Sequence, residues 1–89
     1  MQKTSFKKQL KLTVITDANE NDYEGFTVED FKEGTAKFNG LDIVDLKLSG
    51  DNNNILTFIV EGYFKDVTEA TIKFAEKIEN IDYEIEEVK

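Results

Sequence analysis

Residues 9–16, QLKLTVIT, alternate strictly: Leu10, Leu12 and Val14 on one side, Lys11, Thr13 and Ile15 on the other. A period of two with one apolar side predicts a strand with one buried face. Over 27–38, TVEDFKEGTAKF, the period lengthens. Val28, Phe31, Thr35 and Phe38 fall at i, i+3, i+7 and i+10, one stripe of a helix. Thr27 followed by Asp30 is a short form of the capping box, and Asn39-Gly40 supplies a stop. Residues 41–48, LDIVDLKL, predict a second strand. Its alternation changes phase between Ile43 and Val44, which a β-bulge would reconcile. SGDNNN, 49–54, is a polar turn. ILTFIVEGYF, 55–64, is the most apolar run, with apolar residues on both sides: Leu56, Phe58 and Val60 against Ile55 and Ile59. That argues for a central strand.

Residues 66–80 predict the clearest helix, opened by the capping pair Asp66 and Glu69. Its stripe is Val67, Ala70, Thr71, Phe74 and Ile78. In IDYEIEEV, 81–88, Ile81, Tyr83 and Ile85 alternate with Asp82, Glu84 and Glu86, a last strand with an acidic outer side. The order β-α-β-β-α-β predicts an α+β fold. It is similar to the ferredoxin-like sandwich, a four-stranded antiparallel sheet with two helices on one face and the first and third strands central. The alternative is a β-meander with a single C-terminal helix, in which residues 23–28 return as a strand. Either way 89 residues bound one domain with one core. Residues 1–8 are expected to be a flexible basic arm.

Composition excludes more chemistry than it suggests. Seven Phe support a core, but the chain has no His, Arg, Pro, Trp or Cys. The usual base near neutral pH, thiolate metal ligands, disulfides and bidentate anion clamps are therefore all missing. Glu84 and Glu86 could in principle pair as acid and base. Such a pair arises on any acidic exposed strand, and there is no nucleophile–base pair or phosphate-cradling loop beside it. No enzyme, cofactor or metal site is expected. No run of about 20 apolar residues that could span a bilayer and no signal peptide is present, so the expected setting is cytoplasmic.

The net charge of −8 is unevenly distributed. Residues 1–16 carry Lys3, Lys7, Lys8 and Lys11 and no acid. Residues 17–30 carry Asp17, Glu20, Asp22, Glu24, Glu29 and Asp30 and no base. Their first part, DANENDYEG at 17–25, places Asp17, Asn19 and Asn21 at positions one, three and five of a calcium loop. The pattern then fails, because Asp22 stands where Gly is needed and Val28 where Glu is needed. A solvated turn is the expectation there. A chain this acidic repels nucleic acid and anionic membrane at long range and is drawn to basic surfaces.

The outer sheet side, with Ile15, Ile59 and Tyr63 ringed by Lys11, Asp45, Lys47, Glu61, Glu84 and Glu86, has the apolar centre and charged rim of a protein contact. The functional expectation is a non-enzymatic protein-binding module whose partner is a protein with a basic surface. Its docking residues would be Asp17, Glu20, Asp22, Glu24, Ile15, Ile59, Glu61, Asp82, Glu84 and Glu86. In its sharpest form the module is a nucleic-acid-mimicking inhibitor. In size and charge the chain resembles small acidic proteins of phages and mobile elements, anti-CRISPR inhibitors among them, a resemblance of composition that involves no motif. The alternative is a small-molecule-binding or regulatory domain that forms a homodimer through its sheet.

Overall fold

The computed structural model describes residues 6–35 and 40–88. The elements are β1 (Lys7–Ile15), α1 (Val28–Thr35), β2 (Asp42–Ser49), β3 (Ile55–Tyr63), α2 (Val67–Lys77) and β4 (Asp82–Glu87). The four strands form one antiparallel sheet in the order β2-β3-β1-β4, so the first and third strands are the inner ones. The fold is α+β, as the alternation of periods predicts. Of the arm expected over 1–8, residues 1–5 lie outside the described residues. Lys7 and Lys8 already belong to β1, opposite Tyr63 and Gly62.

Both helices lie on the sheet face that carries Leu10, Leu12, Val14, Leu56, Phe58 and Val60, all buried. α1 packs chiefly on β2, and α2 on β1 and β3. Phe58 is the hinge of this packing. Its ring meets Phe31 of α1 edge-on at 5.1 Å and Phe74 of α2 edge-on at 5.1 Å. Val67, Thr71, Phe74 and Ala75 are the buried side of α2, close to the expected stripe.

The change of phase in β2 is a bulge. Ile43 stands opposite Val60 and Asp45 opposite Ile59, leaving Val44 as the extra residue. After it, Leu46 and Leu48 return to the helix-facing side. Val44 itself is 51% exposed, because the bulge ejects it from the ladder.

Three local expectations need correction. Asp66 makes no side-chain capping bond to α2: its backbone is already near helical, at φ −109° and ψ −16°, so its carboxylate does not reach back over the first turn. Glu69 pairs with Lys73 instead, at 3.2 Å. α2 also ends at Lys77, before the expected 80. Ile78 turns extended, and Asn80 Nδ2 donates to the carbonyls of Ala75 (3.0 Å) and Ile78 (2.6 Å), so a side chain takes up carbonyls left by the helix end. Lastly, residues 23–28 form no strand. Phe26 N–H donates to Tyr23 O (3.0 Å), Gly25 has φ +85°, and α1 starts at Val28.

The expected cap of α1 does form in part: the Thr27 N–H donates to the Asp30 carboxylate at 2.7 Å. Phe38 and Asn39, the expected end of this helix, lie outside the described residues.

Candidate docking surface

The acidic stretch after β1 is strapped down rather than free. Thr16 is fully buried and donates through both its N–H (2.9 Å) and its hydroxyl (2.8 Å) to Asn54 O. Asn54 Nδ2 donates back to Thr16 O at 2.8 Å. Farther along, Asn52 Nδ2 donates to Ala18 O (2.7 Å) and the Tyr23 N–H to Asn52 O (3.3 Å). The 17–25 loop is thus sewn to the turn between β2 and β3. Within it, Asp17 Oδ1 accepts from the Asn19 N–H (2.8 Å) and Asp22 Oδ1 from the Glu24 N–H (2.9 Å). These are side-chain turns of the kind Asp favours.

Two of the four carboxylates are therefore spent on the loop's own backbone. The other two, Glu20 and Glu24, are exposed. Among the described residues no group of three or more acidic side chains is placed to hold a metal ion. Calcium is accordingly expected to bind no tighter than millimolar at low ionic strength. A micromolar site by calorimetry that vanished in Asp17→Ala would overturn this reading of the loop.

The solvated-turn reading missed the loop's apolar anchor. Tyr23 packs on the core, and Tyr23, Phe26 and Phe31 form an aromatic cluster with centroids 5.0–6.3 Å apart. Burial first, and the nearby Glu79 carboxylate second, push the Tyr23 phenol above its ordinary pKa. The spacing Tyr23, Phe26, Phe31 was the signal for this anchor.

The outer sheet face is ruled into cross-strand rows by the register. One row reads Asp45, Ile59, Lys11, Glu86. The next reads Lys47, Thr57, Thr13, Glu84, and the third Ser49, Ile55, Ile15, Asp82. Ile15, Ile55 and Ile59 are half-buried by their neighbours, and neither helix packs on this side. Ile55 completes the apolar centre, beside the expected Ile15 and Ile59.

The rows bring Asp82, Glu84 and Glu86 together along β4. Asp17 and Glu20 join them at one end, where the loop lines a small cleft of about 100 Å³ with Glu79, Asn80 and Ile81. Glu61 lies toward the opposite end, where it accepts from Gln9 Nε2 at 3.1 Å. Asp22 and Glu24 stay on the loop beyond the sheet. The expected docking residues thus fall into a loop-and-β4 group, with Glu61 apart from it.

The carboxylates of β4 are not all idle in the fold. Lys11 Nζ stands 3.9 Å from Glu86, Lys8 Nζ 2.7 Å from Glu87, and Asp82 Oδ1 accepts from the Tyr83 N–H at 2.8 Å. Glu84, opposite Thr13, makes no ion pair among the described residues. At the far end of the molecule a second feature escaped the sequence reading. Phe6 and Phe64 are exposed, with Lys8 Nζ 5.0 Å from the Phe64 ring centroid and Lys7 Nζ 5.7 Å from that of Tyr63. Each cation stands over one ring, Lys8 over Phe64 and Lys7 over Tyr63.

No protein-family model, curated protein or solved structure matches the chain. No helix among the described residues is long and apolar enough to cross a membrane.

Proposed function

We propose that the chain is a non-enzymatic protein-binding module that acts in the cytoplasm on a partner with a basic surface. The observation that supports this is the continuity of the open outer face with an acidic margin. Ile15 and Ile55 share a row with Asp82, Ile59 shares one with Glu86, Glu84 lies in the row between them, and the strapped loop adds Asp17 and Glu20 at the end of that margin. Carboxylates steer a basic partner in, and the apolar centre supplies the short-range contact. Alternate strand positions lie about 6.6 Å apart, near the phosphate-to-phosphate distance along one nucleic-acid strand. The sharpest form of the proposal is therefore an inhibitor that occupies a nucleic-acid-binding surface.

The test is a partner captured from the source cell, identified by mass spectrometry and remade pure. Glu84→Lys with Glu86→Lys is expected to slow its association about tenfold or more at low salt, with a smaller effect at high salt. The fold should survive, because the only ion pair lost among the described residues, Lys11–Glu86, is exposed and worth less than about 1 kcal/mol. Unchanged association by the double variant would remove β4 from the docking surface. The same open face supports a second reading, a regulatory domain that dimerises through its sheet. A dimer insensitive to salt in sedimentation would favour that reading.

A further inference from the structure

The two open edges of the sheet differ, and the difference selects one of them. β2 carries the bulge at Val44, which interrupts the even run of main-chain groups an added strand would need. Its outward side chains have mixed charge, Asp45 and Lys47. β4 pairs with β1 without a break from Asp82 to Glu87. The phase of that pairing is set by the Val88 N–H, which donates to Gln9 O at 3.3 Å. Hydrogen-bonded pairs alternate along an antiparallel ladder. Counting back from Val88, residues 86, 84 and 82 bond to β1, and 87, 85 and 83 direct their main-chain groups to the open edge. The Tyr83 N–H is already taken by Asp82 Oδ1. Ile85 offers both its N–H and its C=O.

The side chains of β4 make this edge selective. Asp82, Glu84 and Glu86 project on the outer face, while Tyr83 and Ile85 project on the inner face and are only half-buried. α1 packs mainly on β2, and α2 on β1 and β3, so neither helix is centred over β4. A second copy of this strand would set carboxylate against carboxylate, which disfavours self-pairing. An extended segment with Lys or Arg at every second position would do the reverse. Its basic side chains would face Glu84 and Glu86, and its apolar ones would cover Tyr83 and Ile85.

We infer that β4 is a strand-addition site for a basic, alternating extended segment of a partner protein, which joins the sheet as a fifth strand. This rests on the protein-binding reading above and specifies how the partner is held.

The probe is a capped synthetic peptide in which lysine and valine alternate. Its control has the same composition, with the lysines and valines in separate blocks. The alternating peptide is expected to bind about tenfold more tightly than the block peptide and to slow hydrogen exchange of the Ile85 amide by about tenfold or more. Ile85→Pro removes the edge N–H without touching a bond to β1, since proline is tolerated on the open side of an edge strand. It should weaken the alternating peptide about tenfold. Should that variant not fold, the exchange rate at Ile85 in the unaltered protein decides.

Equal binding of both peptides with no protection at Ile85 would overturn strand addition, while leaving charge-driven docking in place. The absence of peptide binding, with partner association still sensitive to Glu84→Lys and Glu86→Lys, would do the same. If neither peptide binds and the partner ignores those two substitutions, the protein-binding reading of this face falls as well.

Discussion

Phe58→Ala is expected to cost about 3–5 kcal/mol of folding stability. Phe58 sits on an inner strand with no exposed surface, and its ring is the common neighbour of Phe31 and Phe74. Truncating it removes both edge-on ring contacts at once and leaves a cavity beneath the two helices. Domains of this size are held by about 5–15 kcal/mol in total, so much of the population would unfold at moderate temperature. Urea unfolding followed by circular dichroism measures the loss. Phe58→Leu should recover more than half of it, because it refills most of the volume without restoring the ring contacts. A Phe58→Ala protein that melts within a degree or two of the parent would show that β3 presents its other side to the helices.

The second large effect is expected at a residue with no side chain. Gly50 has φ +80° and ψ −178°, a region that essentially only glycine occupies. A Cβ there would press against Asn54 Oδ1 and come within 2.9 Å of Ile55 Cγ1. Asn54 would have to move, and with it the bond from its Nδ2 to Thr16 O that anchors the acidic loop. Backbone strain of about 1–3 kcal/mol and one lost hydrogen bond of about 1 kcal/mol combine. Gly50→Ala should therefore cost about 2–4 kcal/mol and lower the melting temperature by about 10 °C or more. Gly25→Ala is the internal control. It shares a positive φ, +85°, but nothing lies within 4 Å of the added Cβ, so it should show backbone strain alone. Equal melting of the two variants would mean that the Thr16–Asn54 clasp contributes nothing.

Much of the fold was legible because it is written in local periodicity. Alternation in β1 and β3 assigns each residue to a face, and the slip between Ile43 and Val44 marks the bulge to the residue. Val44 nonetheless emerges exposed, since a change of phase tells where the ladder slips and not which residue is expelled. Other features depend on pairings distant in sequence. That Lys11 faces Glu86 follows from the register of β1 on β4, and no window of either strand contains it. This is why the acids of β4 look like unrelieved repulsion in the sequence, while Glu86 and Glu87 have cations beside them in the fold. The Asp66 cap failed for a finer reason: the residue type suits a cap, but capping depends on backbone angles that composition does not encode. The loop's carboxylates were legible as a group, yet the Tyr23 anchor beneath them was not, because acidic neighbours mask an aromatic spacing.

The position of β1 in the middle of the sheet has a consequence for synthesis. β1 is the first strand to be made, and its two neighbours are β3 and β4, the last two. Until β3 emerges, Leu10, Leu12 and Val14 have no partner strand, and the α1–β2 segment can gather only a partial core. The flank of β1 that β4 will cover stays open longest. Long-range pairing of this kind is slow and exposes sticky edges meanwhile. Lys7, Lys8 and Lys11 lie along that strand, and like charge keeps nascent copies apart while they wait. Lys8 and Lys11 later meet Glu87 and Glu86, so two of the charges that guard the unfinished chain end as ion pairs across the β1–β4 seam of the finished one.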